Sequence, residues 1–337
     1  MRDRLVIALS LLCLFLFSGM KGTTAQEAPP VNAGKWQQAA SAPTARTEVS
    51  AAVQQGKIYV IGGFAPLRFG NLLKLSVADT VEVYDPARDR WSTAASLPLA
   101  LHHTAAVSIG QRLFVVGGFK PGLTSVWNPV DTVFEYLAAE NRWVQRRPMP
   151  TARGALAAAV RDGKIFAIGG YDGKRSLAVV EIYDPATNTW QSAASLSVPR
   201  DHLAAAAVDG KIYAIGGRVD LDYHRNLAVT EVYDPAAERW HEVAPLPTPR
   251  SGIAAEVLEG MIFVVGGEGS QGTFRQNEAY WPKTDTWRQL PPLPSPRHGL
   301  AAAVVGDRLY TLCGGTQPGG SYSKVNEVFI PQVESHR

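Results

Sequence analysis

The fold is decided by residues 203–217, Leu203-Ala-Ala-Ala-Ala-Val208-Asp209-Gly210-Lys-Ile212-Tyr-Ala-Ile215-Gly216-Gly217. A short Ala-rich run meets an Asp-Gly turn, then a second apolar run that stops at a glycine pair. Two runs of strand length separated by a two-residue turn read as a β-hairpin. The stretch then recurs. Glycine doublets stand at Gly62-Gly63, Gly117-Gly118, Gly169-Gly170, Gly216-Gly217, Gly266-Gly267 and Gly314-Gly315, each after an apolar run such as Ile58-Tyr-Val-Ile61.

A tryptophan precedes each doublet: Trp36, Trp91, Trp143, Trp190, Trp240 and Trp287. The step from Trp to the first glycine is constant through the first five, from Trp36 to Gly62 as from Trp240 to Gly266. It is one position longer in the last, from Trp287 to Gly314. Tyr84, Tyr136, Tyr183, Tyr233 and Tyr280 each lie seven residues before a Trp. By contrast, the gap from the second glycine to the aromatic at the Tyr position varies, being short from Gly170 to Tyr183 and longest from Gly63 to Tyr84. The unit is therefore rigid except at one connection. Each unit predicts four strands. The third carries Glu-x-Tyr, as in Glu231-Val-Tyr233, and stops at Asp234-Pro235, where proline withdraws a ladder donor; the fourth carries the Trp and ends in Pro-rich sequence. No helical period competes, so the chain is all-β.

The units resemble kelch repeats over essentially the whole chain after the leader, with Gly-Gly, Tyr and Trp at the family's spacing. The resemblance implies a six-bladed β-propeller with four antiparallel strands per blade around a central channel. The residues lend separate support. Ala51-Ala52, Ala105-Ala106, Ala157 to Ala159, Ala204 to Ala207, Ala254-Ala255 and Ala301 to Ala303 all fall in first strands, where six strands crowd an axis. Counting predicts the closure. The last unit ends at Glu327-Val-Phe329-Ile-Pro331 without a Trp strand, and Trp36 has no unit of its own. The N-terminal strand, Gly34 to Ala39, is expected to complete the C-terminal blade.

Composition bounds the function. Of 337 residues, 46% are hydrophobic and 19% charged, with 33 basic against 30 acidic side chains. That balance excludes a dedicated nucleic-acid binder, which needs a basic excess, and a disordered tail protein. Arg2 and Arg4 precede the apolar run Leu5 to Phe17, followed by Thr23-Thr24-Ala25. This reads as a cleavable signal peptide over 1–25, with an uncleaved anchor as the alternative. Residues 26–33 are then a linker, 34–333 the propeller and 334–337 a tail. The mature chain is expected to be secreted or periplasmic, monomeric and without a membrane span. It retains Cys313 alone, a buried small hydrophobe with no disulfide.

In a propeller the loop between the second and third strands shares one end with the loop linking blades. The long ones, Phe64 to Asp79, Phe119 to Asp131 and Arg218 to Ala228, make that end the expected binding face. Arg46, Arg153, Arg200 and Arg250 stand sixteen residues before a doublet and Arg297 seventeen; Glu82, Glu181, Glu231, Glu278 and Glu327 stand two before the third-strand aromatic. The second unit has Leu101 and Phe134 instead, so both partners vanish together. A structural Arg–Glu pair is preferred over an Arg ring for anions, although some propellers use such arginines, Arg46 here, at the binding mouth. His102, His103, Asp201, His202 and His298 follow the Arg position and converge on the channel mouth. They read as polar residues rimming water in preference to a metal or acid–base site, since no local ligand spacing such as His-x-x-x-His exists. Phe64, Phe119, Tyr171, Arg218 and Glu268, just after the doublets, surround the same entrance, and Trp127 in a variable loop suits sugar stacking or partner anchoring.

Gly-x-Ser-x-Gly, P-loop and dinucleotide motifs are missing, and the Cys–Tyr and ligand set of the kelch copper oxidase acting on galactose has no counterpart. No cofactor or metal is expected. The preferred reading is a non-catalytic module binding a protein or glycan through the loop face. The alternative is an enzyme resembling the periplasmic sialic acid mutarotases, with acid and base from Glu48, His103, His202 or Glu268. N-terminal sequencing of the mature chain is expected to begin at Gln26; a start at Met1 would instead mean a retained anchor.

Overall fold

The computed structural model describes residues 29, 31–66 and 75–333. The segment expected to be a signal peptide, most of the expected linker, the tail and part of the first long loop lie outside the described residues. Six four-stranded antiparallel sheets form the blades of a closed propeller. Blade 4 is representative: Ala204–Val208, Lys211–Ile215, Thr230–Asp234 and Arg239–Val243 pair in that order from the axis outward. Blade 6 takes Ala301–Val305, Arg308–Leu312 and Asn326–Val333 from the end of the chain, and its outer strand, Val31–Gln38, from the beginning. Trp36 faces Phe329 across that last pairing. The closure expected from the unmatched Trp is present, and it ties the first and last strands of the ring into one sheet. Among the described residues helix is limited to one 3-10 turn, Ala138–Glu140, and no helix is long and apolar enough to cross a membrane.

The core is divided into layers between neighbouring blades. Ile58, Val60 and Tyr84 of blade 1, for instance, pack on Ala301, Ala303, Tyr310 and Leu312 of blade 6. The Tyr–Trp pairs of the repeat close the outer part of each layer. Tyr84, Tyr136, Tyr183 and Tyr280 each donate to an Asp or Asn five residues on (Asp89, Asn141, Asn188, Asp285), held in a left-handed turn. Each of those side chains accepts a backbone N–H from the segment entering the preceding blade gap, for example Ala244 N–H at 2.8 Å on Asp285. The indole N–H groups reach the same segments: Trp287 donates to the Ala244 carbonyl at 2.8 Å and Trp36 to Pro291 at 2.8 Å. Buried apolar rings are thus combined with satisfied polar tips.

The doublets do what close approach requires. A Cβ on Gly216 would lie 2.9 Å from the Arg250 carbonyl, and one on Gly217 would lie 2.7 Å from that of Asp201. Both residues also have positive φ, 57° and 98°. In blade 6 the structure corrects the sequence alignment. Cys313 (φ 58°) and Gly314 (φ 95°) occupy the two doublet positions, and Gly315 occupies the next one, bridging to His298 as Phe64 bridges to Thr47. The step from Trp287 to Cys313 then equals that from Trp240 to Gly266. The apparent extra position comes from taking Gly314-Gly315 as the doublet. Cys313 is fully buried, as expected, but in a left-handed conformation that glycine holds elsewhere.

The five repeated arginines are fully buried and each meets its glutamate: Arg46–Glu82 at 2.8 Å, Arg153–Glu181 at 2.6 Å, Arg200–Glu231 at 2.8 Å, Arg250–Glu278 at 2.5 Å and Arg297–Glu327 at 2.7 Å. The structural pairing holds in every blade that has both residues. In blade 2, Glu135 turns to the other sheet face and pairs with Arg112 and Arg146, both at 2.6 Å.

Inner strands line a channel of about 420 Å³ walled mainly by alanine and valine. Glu256 is the exception, standing where the other blades have Ala52, Val107, Ala159, Ala206 and Ala303. Desolvation deep in the channel raises its carboxyl to about 7. Folding therefore favours the protonated form, and stability falls as pH rises from the ordinary value of 4.5 through about 7. Glu256→Gln is expected to raise the melting temperature at pH 8 and to leave it unchanged at pH 4. Melting curves at the two pH values check this, and equal shifts at both would contradict it.

Candidate functional site

Each segment entering a blade passes its Arg position and places the residue two further on in a left-handed turn at the axis. Glu48, His103, Ala155, His202, Gly252 and Gly299 have φ of 53°, 52°, 51°, 52°, 62° and 54°. They link blade to blade through the backbone. His103 N–H donates to Glu48 O at 3.1 Å, Ala155 to His103 at 2.9 Å, His202 to Ala155 at 2.9 Å, Gly252 to His202 at 3.0 Å and Gly299 to Gly252 at 2.9 Å. Val49 N–H closes the circle on Gly299 O at 3.4 Å. This collar narrows the loop end of the channel to a space of about 90 Å³. A Cβ on Gly299 would collide with the Glu48 carboxylate, so that glycine makes room for the acid.

Above the collar lies a cavity of about 200 Å³. Seven residues expected at the mouth line it: Glu48, Phe64, His103, Trp127, His202, Arg218 and Glu268. His102 and Phe119 stand behind the wall. The His102 ring stacks on Phe64 with centroids 4.0 Å apart, and Phe119 packs edge-on against Trp127 at 5.2 Å. His298 braces the Glu48 and Glu268 carboxylates from outside. Tyr171 sits apart, with its backbone bridged to Gly154 and Ser176. Arg46 is removed from the cavity altogether, its guanidinium donating to the Gly62 and Thr80 carbonyls and to Glu82. Its candidacy as a mouth residue is thereby corrected: the guanidinium faces the blade interior and Arg46 is not in the cavity lining.

Sequence reasoning misses Val126, Leu221, Tyr223, Gly319 and Gly320 in the lining. Tyr223 lies inside the long Arg218 to Ala228 loop, which stands out in the sequence for length alone. Its ring carries the Arg218 guanidinium 4.5 Å from its centroid.

The polar lining is one connected network. Arg218 Nη1 donates to Glu268 Oε1 at 2.8 Å and Nη2 to His202 Nε2 at 2.9 Å, while Nε lies 3.4 Å from Asp201 Oδ1. His202 Nδ1 donates to Asp201 at 2.6 Å. Glu48 is shared between His103 Nε2 and His298 Nδ1, each at 3.0 Å, and His298 Nδ1 also lies 3.3 Å from Glu268. Burial acts to raise the Glu48 carboxyl, but the histidines around it together outweigh this and hold it well below the usual range. Burial likewise opposes ionisation of Asp201, and the His202 contact more than reverses this. For His298 burial lowers the imidazole, yet Glu48 and Glu268 carry it above its ordinary value. Burial depresses His102 to about 4, with the Val126 carbonyl and Glu48 offsetting it only in part. The cavity therefore presents buried carboxylates, imidazoles and one engaged guanidinium beside aromatic faces. Among the described residues it offers no free cation to an anionic ligand.

The family model described as the KLHDC2/KLHL20/DRC7 Kelch-repeats domain matches residues 30–197 and 103–315. Among curated proteins, the Kelch repeat and BTB domain-containing protein 12 of Homo sapiens is 29% identical over 140 residues, covering 38% of this chain and 22% of that protein. Kelch-like protein 28 of Mus musculus is 35% identical over 111 residues, 29% of this chain and 18% of its own length. The F-box/kelch-repeat protein SKIP30 of Arabidopsis thaliana is 33% identical over 114 residues, 31% of this chain and 32% of its own. The chain thus spans a third or less of these relatives.

Arg218 is the charge on which the network balances. Arg218→Met leaves Asp201 and Glu268 buried without their cation and is expected to cost about 3–5 kcal/mol of stability. Adding Glu268→Leu is expected to recover part of the loss, as measured by denaturant unfolding; a single variant as stable as the parent would refute this account.

Proposed function

The chain belongs to the kelch-repeat family, and from that premise we propose that it is a binding module whose loop-end cavity takes one sugar residue of a glycan. The observation that carries the reading is the recessed cavity itself. Its volume of about 200 Å³ falls below the ~300–1,000 Å³ of drug-sized sites, so it suits a single small polar ring. Trp127, Tyr223 and Phe64 supply apolar faces on which a sugar ring stacks. Glu48, His103, His202 and Glu268 supply acceptors and donors for hydroxyl groups from the other side. A flat protein-docking surface would not need this recess or its buried carboxylates. The proposal includes export through residues 1–25, supported by their charged and apolar segments.

A second reading, anomer interconversion as in the sialic acid mutarotases, is favoured by one observation: the Glu48 carboxylate faces His103 and His298 at 3.0 Å beside the cavity. The engagement of Arg218 by Glu268 and Asp201 weighs against a sugar carboxylate there and favours neutral sugars.

A glycan array followed by tryptophan-fluorescence titration tests the binding reading. Trp127→Ala is expected to weaken binding of the selected glycan at least about tenfold, roughly 1.4 kcal/mol. Failure of any glycan to bind, or equal affinity in the variant, would end it. NMR exchange spectroscopy on the bound monosaccharide separates the second reading: acceleration lost in Glu48→Gln means catalysis, and none means binding alone.

A further inference from the structure

Two imidazoles at the cavity floor have their tautomers set by their neighbours. His102 Nε2 lies 2.9 Å from the Val126 carbonyl. A carbonyl only accepts, so His102 carries its proton on Nε2 and its Nδ1 is a bare acceptor. His102 Nδ1 is in turn hydrogen-bonded to His103 Nδ1, which must supply the proton. His103 Nε2 is then a lone pair, and it faces Glu48 Oε2 at 3.0 Å. Two acceptors at that separation repel unless a cation lies between them.

His202 reaches the same condition from the other side. Its Nδ1–H is held by Asp201, whose second carboxylate oxygen accepts from Ser176 Oγ and, at 3.2 Å, from Leu221 N–H. Its Nε2 lone pair points inward and accepts from the Arg218 guanidinium, so a positive charge already stands against it. The His103 and His202 rings lie 4.8 Å apart at 79°. One donor atom from each of Glu48, His103 and His202 falls within 4.8 Å of the others.

We propose that Glu48 Oε2, His103 Nε2 and His202 Nε2 bind one divalent transition-metal ion at the cavity floor, its remaining position open to the cavity. Two neutral imidazoles and a carboxylate suit zinc-like ions, whereas calcium and magnesium prefer all-oxygen sets. Metal-binding histidines characteristically give their other ring N–H to a carboxylate or further acceptor, which fixes the ring and raises its basicity. Asp201 does this for His202 and His102 does it for His103. Glu48 is oriented through its second oxygen by His298. Arg218 yields one hydrogen bond on metal entry and retains Glu268 and the Tyr223 ring. The three ligands are also among the groups that face a sugar in the glycan reading, and ion titration without sugar tests the site independently of it.

The untagged full chain, stripped with chelator, is titrated with Zn²⁺ by calorimetry and with Co²⁺ by visible absorption. One ion per chain is expected, with the intense Co²⁺ bands of a low-coordinate nitrogen-ligated site. His103→Ala and His202→Ala each abolish binding, and Asp201→Asn, which touches no ion, weakens it about 10–100-fold. His224→Ala, on the exposed loop, leaves it unchanged. The wild-type Co²⁺ spectrum keeps the test decisive if a variant does not fold. Absence of a stoichiometric ion, a spectrum of hydrated Co²⁺, or undiminished binding in both histidine variants overturns the site.

Discussion

In five of the six blades a buried arginine fixes the segment that enters the blade. In blade 5, Arg250 donates to the Gly266 carbonyl at 2.8 Å, to Thr248 at 2.9 Å, to Val264 at 3.0 Å and to Glu278. One planar guanidinium thus ties the entering segment to the second strand, the doublet and the third strand at once. Its five donors in a rigid fork suit that task, and a lysine could not replace it. With the segment held there, the residue two positions on has nowhere to go but the axis, and the left-handed turn and backbone collar follow. The pairing is evidence of specified geometry more than of net stability, because desolvation offsets much of the attraction.

The collar explains how a repetitive scaffold acquires a site that is not repetitive. Six equivalent positions meet within hydrogen-bonding distance around one axis, so a change in any one unit is displayed next to changes in the others. Three of the six, Glu48, His103 and His202, carry ionisable side chains; Ala155, Gly252 and Gly299 provide space. The next positions out, Asp201 and His298, orient those groups, and residues after the doublets roof them. Blade 2 is where the pattern is most altered. It has Leu101 in place of the Arg, yet its connection makes the same left-handed turn at His103, which sets His102 and His103 against Trp127.

Charge within the site is distributed so that no group is left isolated. Arg218 lies between Asp201, Glu268 and the Tyr223 ring, and Glu48 lies between His103 and His298. Such a network is costly to break at any one member, since the remaining charges are buried. Half-buried Trp127 and Tyr223 and buried Phe64 give the cavity aromatic walls beside its polar floor.

The blade number, strand order, ring closure and structural role of the arginines were legible in the sequence, because each rests on local chemistry repeated at fixed spacing. A glycine that must admit a neighbouring carbonyl, or a Trp left without a unit, can be read without coordinates. So could most of the mouth: Glu48, His103, His202, Arg218 and Glu268 stand at repeat positions that closure must bring together. What the sequence could not supply was which lone pair faces which proton. Glu48, His103 and His202 enter from three different blades, so no local motif announces the ligand set. Tyr223 and Val126 lie in connections whose length is free, where spacing carries no register. In blade 6 even the doublet reads one position late, because Cys313 takes the left-handed place that glycine holds in the other blades. Periodicity determines where backbone goes; the orientation of side chains across the axis is settled only when all six blades exclude water from the same small space.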